Sequence, residues 1–253
     1  MQNPRPSLPL TMAASLAIVS SLLLQSSAIA ASAGQVPGDV PFVGCPADGM
    51  MGPVAAPRAP RHAPTVPAGA ASRLAYYESQ VMGTVAPRGW HCIELSGSGG
   101  ALLLVTPRPD IATHRFPDGG HITGPAIEVS FTNGDTSGRF EVAKVVARLF
   151  PTKNLFVQRV IDEGIESAKH FQFGPFPDDI LQRRSPTEVD FLTPAGKIGM
   201  GTMSWLAPDT AQINGTARLA PDNSLWMLQA RLPAEVLDLA PVIIQVVRQV
   251  GFE

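Results

Sequence analysis

The stretch RGWHCIELSGSGG, residues 88–100, sets Trp90, His91 and Cys92 side by side ahead of a Ser/Gly turn. Two chemistries use these residue types. One is a nucleophile, Cys92 or Ser98, with His91 as its base; the other is a structural disulfide. A Cys–His pair needs the imidazole within hydrogen-bond reach of the sulfur. Neighbours on a strand point to opposite faces, so His91 turns away from Cys92. His91 goes with Ile93 and Leu95, at the margin of a core, and Cys92 goes with Trp90. The chain has one other cysteine, Cys45, and two cysteines in an exported chain read as one disulfide. Closing that loop of 46 intervening residues stabilises by roughly 4 kcal/mol on the chain-entropy argument. Ser98 sits in S-G-S-G-G rather than G-x-S-x-G, and its turn joins two strands instead of a strand and a helix. The same turn lacks the Gly-Lys-Ser/Thr ending and the following helix of a phosphate loop.

Metal chemistry finds little more. His62, His91, His114, His121 and His170 show neither H-x-x-x-H nor H-E-x-x-H spacing. The one local cluster is HRFPDGGH, where His114, Asp118 and His121 could hold a transition metal if the loop folded back. Without a third histidine or a fixed scaffold it reads as an exposed loop. Asp178-Asp179 beside Arg183-Arg184 reads as a solvated helix start, and Asn214-Gly215-Thr216 matches a glycosylation sequon. No catalytic residue, metal ligand or cofactor site is assigned; the residues singled out are the disulfide pair Cys45 and Cys92.

The elements that would position these residues begin after an export signal. Arg5 precedes an apolar run from Leu10 to Leu24, and small residues follow to Ala28-Ile29-Ala30 and Ala31-Ser32-Ala33. This is the pattern of a secretory signal peptide over 1–33. Its run of 15 residues is short of the roughly 20 that a spanning helix needs. Cys45 is too far from that run to be a lipoprotein cysteine. Removing 1–33, whose single charged side chain is Arg5, leaves 18 basic against 21 acidic residues. A net of −3 is too balanced for a nucleic-acid footprint or a basic membrane-binding surface.

Residues 34–69 hold eight prolines and six glycines and read as an extended surface arm pinned at Cys45. The remainder, 70–253, reads as one domain. AASRLAYYESQV has helical spacing. Trp90–Leu95 and Ala101–Thr106 flank the Gly-rich turn as a hairpin, and AIEVSFT alternates as a half-buried strand. SGRFEVAKVVARLF reads as a helix capped by Thr136 or Ser137 and stopped at Pro151; a second runs from Thr152 to Gly164. The piece 166–184 is irregular. TEVDFL, IGMGTMSWL, AQINGTARL and SLWMLQARL form a four-strand meander, and PAEVLDLAPVIIQVVRQV closes the chain as a helix kinked at Pro241. The expected fold is α+β: a single antiparallel sheet with helices packed on it.

At VGCPADG, APRGWHC, LLLVTP, TSGRFEVAKVVARLFP and GTMSWL…ARLP, the chain resembles a family of uncharacterised exported bacterial proteins, over most of residues 40–250. That resemblance implies secretion and a shared domain, and brings no activity with it. The layout of a P-x-G-W entry, strands, helices, meander and terminal helix is similar to the PsbP-like fold, which implies an accessory or assembly role. The expectation is a non-catalytic module of the periplasm or the medium, working on another envelope or secreted protein or on a ligand, with no nucleic acid and no membrane anchor after signal cleavage. The alternative is a secreted hydrolase or metal-dependent enzyme using the 107–125 loop and the His91 region.

Overall fold

Prolines cannot donate to a β-ladder, so a Pro-rich chain can only contribute strands two or three residues long between them. This is what the arm does. In the computed structural model, which describes residues 37–38, 40–50, 52–62, 64–113, 121–174, 176–197, 199–200 and 204–250, it forms four short strands. These are β1 (Pro37–Gly38), β2 (Phe42–Gly44), β3 (Ala47–Gly49) and β4 (Val66–Pro67), followed by the single turn α1 (Ala68–Ala71). β1 pairs with β4. The arm is therefore laid into the body: Cys45 and Val66 are fully buried, against the expectation of a loose surface segment. The segment 1–33 lies outside the described residues.

The stretch expected to be a helix over 70–81 is instead a strand, β5 (Leu74–Glu78), paired with β6 (Gly83–Pro87). Every residue of both strands is buried, Tyr76 and Tyr77 among them, and aromatic side chains buried on both faces favour extended chain. β2 joins β5 in parallel, making a three-stranded sheet.

The hairpin follows as expected, β7 (His91–Gly97) and β8 (Gly100–Thr106), and then β9 (Ala126–Thr132). Two helices come next, α2 (Arg139–Leu149) and α3 (Asn154–Asp162). The C-terminal strands are β10 (Ile180–Ser185), β11 (Glu188–Thr193), β12 (Ile213–Leu219) and β13 (Leu225–Arg231); a 3₁₀ segment, Ala234–Leu239, leads into α4 (Ala240–Val250). The four-strand meander exists with a different membership. Its first strand is β10, in the piece taken as irregular, and no strand runs through the described part of 198–206.

The molecule is α+β, but the single antiparallel sheet is corrected to two principal sheets. The larger has eight strands in the order β10-β11-β12-β13-β9-β8-β7-β3. It is antiparallel except at β3, which the arm adds in parallel to β7. The arm is what splits the strands: the chain leaves β2 in the small sheet, passes Cys45 and Pro46, and enters β3 in the large one.

Alternation assigns the faces of the large sheet. Cys92, Leu103, Val105, Ile127, Val129, Leu228 and Ala230 pack with the small sheet and α4. On the opposite face, Val189, Phe191, Ala217, Leu225 and Met227 pack with α2 and α3. Beyond the helices that face is covered by the chain around Ile111, Ile122 and Leu206, over Ile93 and Leu104. At Gly215 a Cβ would collide with the Phe191 ring, so glycine lets that ring lie across the sheet.

Candidate functional site

Cys45 and Cys92 form the expected disulfide, with Cα atoms 5.3 Å apart, and join the arm to β7. His91 is exposed at the start of β7, on the other face from Cys92. Ser98 Oγ lies 3.2 Å from Ser137 Oγ, at the surface and with a hydroxyl for a neighbour instead of an imidazole. In the candidate metal loop, His114 and Asp118 lie outside the described residues, and His121 is exposed. Among the described residues no group of three or more His, Cys, Asp and Glu side chains could hold a metal ion.

Asp178 and Asp179 precede a strand, not a helix, and they do not act together. Asp179 pairs with Arg148, whose Nε donates at 2.9 Å, while Asp178 meets Lys197 at 2.7 Å. Arg183 donates to the carbonyl of Leu149 and Arg184 to Asp190. The sequon asparagine, Asn214, is on the interior strand β12, and its Nδ2 is buried without a partner among the described residues. The amide nitrogen that would carry an oligosaccharide is thus buried in the folded chain.

The polar groups that do converge were not singled out in the sequence. Glu128 on β9 stands directly across from Gln229 on β13, and Arg231 is two residues further along the same face. All three are about 1 % exposed. Glu128 Oε2 accepts from the Trp205 backbone N–H at 2.9 Å and the Ser204 hydroxyl at 3.4 Å, and Gln229 Nε2 donates to Oε1 at 3.4 Å. Burial nevertheless pushes Glu128 up to about 7, against those hydrogen bonds and the nearby Arg231 charge. Gly199 makes room for the Gln229 amide, since a Cβ there would strike Gln229 Oε1.

Arg231 ties down the chain around it. Its Nε donates to Gly124 O at 2.6 Å, and Nη1 and Nη2 donate to Ala207 O and Ile122 O, each at 2.5 Å. Asp209 adds a fourth tie, accepting the Gly124 N–H at 2.5 Å. Segments 122–125, 207–212 and the end of β13 are thereby fixed around a cleft of about 570 Å³. Pro125, Leu232, Pro233, Ala234 and Leu237 give it apolar walls; Asp209, Thr210 and Gln212 sit on its rim and Arg231 at its back.

Chemistry in this cleft is limited by what lines it. It has no histidine, cysteine or serine among the described residues. Thr210 Oγ1 lies 3.1 Å from Asp209 Oδ1, the one hydroxyl–carboxylate pair present. A general base works best with a pKa near the working pH. Asp209 is shifted the wrong way: the Gly124 and Thr210 backbone N–H groups hold its carboxyl below the usual range. Glu128 has a suitable value but is sealed behind the Ser204–Trp205 segment and does not reach the cleft.

Two other polar sites are structural. Glu78, fully buried, accepts from the Arg61 backbone N–H at 2.7 Å and the Tyr76 hydroxyl at 3.1 Å, and meets His62 Nδ1 at 2.9 Å, latching the arm to β5. Between β10–β12 and α4 runs a groove of about 310 Å³. Its charges cancel one another: Arg248 Nε meets Glu188 at 2.6 Å, and Arg184 and Arg248 both pair with Asp190. No helix among the described residues is long and apolar enough to cross a membrane. No family model matches the chain, and neither a curated protein nor a solved structure matches it.

Proposed function

We propose that the chain is an exported, non-catalytic binding module of the periplasm or the medium, and that the cleft between Pro125, Asp209 and Leu237 holds a small, largely apolar ligand. The observation that carries this is the build of the cleft. Its walls are apolar, its two charged groups, Asp209 and Arg231, are fixed by hydrogen bonds to backbone, and among the described residues it lacks a nucleophile with a matched base. Its volume of about 570 Å³ falls within the roughly 300–1,000 Å³ typical of small-molecule sites. Export is supported by the signal-like segment 1–33 and by the Cys45–Cys92 disulfide, a bond that persists in oxidising compartments. An accessory role is also what the resemblance to the PsbP-like layout implies.

The test titrates 2-phenylethanol, a neutral probe of suitable size, into the purified mature protein and follows binding by NMR. Saturable binding is expected, and Ala234→Trp, which fills the cleft from an exposed position, should abolish it without lowering thermal stability. Binding that ignores Ala234→Trp would place the ligand elsewhere. A stoichiometric transition metal in the purified protein would overturn the non-catalytic reading. N-terminal sequencing of material recovered outside the cytosol should begin between Ala31 and Gly34.

A further inference from the structure

We infer that the cleft selects a cation: its ligand is a compact amine whose ammonium group sits at Asp209 and whose apolar body lies against Pro125, Leu232 and Leu237. This rests on the binding role proposed above and names the ligand class. Two charged residues border the cleft, and they are not equivalent. Arg231 is about 1 % exposed, with Nε, Nη1 and Nη2 each committed to a backbone carbonyl. Those bonds use three of its five N–H donors, and the other two belong to a side chain almost wholly withdrawn from solvent, so it offers an incoming anion little surface. Asp209 is partly exposed on the rim.

The acceptor count at Asp209 leaves room for a ligand. An ionised carboxylate offers about four lone-pair positions. Oδ1 takes the Thr210 backbone N–H at 2.5 Å and the Thr210 hydroxyl at 3.1 Å; Oδ2 takes the Gly124 N–H at 2.5 Å. One position on Oδ2 is left for an ammonium N–H. The two donated N–H groups also keep Asp209 ionised and aimed, so the ligand does not have to order it.

Charge balance points the same way. Arg231 interacts electrostatically with two carboxylates, Asp209 at the rim and Glu128 behind it. Its single positive charge is shared between them. At pH 8, with both carboxylates ionised, the three groups sum to one negative charge, and Asp209 is where that charge meets the ligand.

The experiment compares three probes of one shape at pH 8 and low salt: phenethylamine, 2-phenylethanol and 3-phenylpropionate, titrated into the mature protein by NMR. The amine should bind tightest, about fivefold tighter than the alcohol, the upper end for a partly exposed ion pair. The carboxylate should bind weakest. Asp209→Asn should bring the amine down to the affinity of the alcohol in the same variant, and the ratio of the two is the readout because Asp209 also ties down the cleft. Should that variant fold poorly, ionic strength gives a second measurement: raising salt should erase the amine's advantage and leave the alcohol unaffected. An alcohol that binds while the amine gains nothing sinks the cation preference and leaves the binding role standing. A carboxylate that binds tightest assigns the site to Arg231 and overturns the inference. Failure of all three to bind removes the binding role itself.

Discussion

Glu128 shows how far one side chain can depart from its sequence pattern. In AIEVSFT it alternates with Ile127 and Val129 and reads as the wet side of a strand, yet it is 1 % exposed. What buries it is the chain around Ser204–Trp205, far away in sequence, so no local pattern could have signalled it. The folded protein holds the Glu128 proton up to about pH 7, whereas an ordinary glutamate releases it near 4.5. Stability from this group is therefore fully present below pH 4.5 and is lost as pH rises from 4.5 through 7. The loss is on the order of 3 kcal/mol. Glu128→Gln keeps the size and an acceptor for the Trp205 N–H while removing the charge. Urea denaturation at pH 5 and pH 8 should show a smaller pH difference for this variant than for the wild type, and an equal difference would mean that Glu128 does not titrate in this window. At Arg231 the prediction is larger. Arg231→Met strips donors from three carbonyls and leaves Asp209 and Glu128 without their cation, for a loss of roughly 3–5 kcal/mol in the same denaturation assay.

Elements were legible where one period ruled them. The α2 and α3 helices, the hairpin β7–β8 and strands β9, β11, β12 and β13 all fall where apolar spacing puts them. The misreadings share a cause. Leu74–Glu78 is buried at all five positions, in the core shared with the large sheet, and a doubly buried strand has no period of two to read. Ile180–Ser185 is nearly all exposed, so β10 has no apolar stripe; it is held by its ladder to β11. The cleft was illegible for a related reason, since its walls come from three segments joined by Arg231 and Asp209. The arm misled through composition: prolines rule out long strands without forbidding short ones. Besides its ladders to β5 and β7, two side-chain fastenings hold it, the Cys45–Cys92 bond and the Glu78 latch on Arg61 and His62. Replacing both cysteines with alanine should cost about 4 kcal/mol on the loop-closure argument, less whatever the latch retains. Limited trypsin digestion reads it directly: cleavage after Arg58 and Arg61 should become fast in the double variant and stay slow in the wild type. Equal protection in both would assign the hold to the latch and the strand ladders, without the disulfide.

For the whole molecule, an eight-stranded open sheet has two edges at which another chain could pair. The two are blunted differently. At one end β3 is three residues long and runs into the turn at Met50, too short to template a partner. The other end, β10, is six residues long and exposed, and its protection is chemical. Its ladder to β11 is irregular between Arg183 and Ser185, which bends the edge. Arg183 and Arg184 put two cations on it, one held by the Leu149 carbonyl and the other by Asp190. A second β10 brought alongside in antiparallel register would meet like charges and a bent ladder. Arg183→Val with Arg184→Val removes both cations and raises strand propensity while leaving the β11 pairing intact, so the fold should survive. Light scattering across a concentration series should then show association at protein concentrations where the wild type keeps its size. Association that appears equally in an Arg183→Ser, Arg184→Ser variant would trace to lost solubility instead of to an opened edge, because serine gives up the charge without favouring a strand. The arginine pair on β10 would in the first case be what keeps an eight-stranded sheet from growing a ninth.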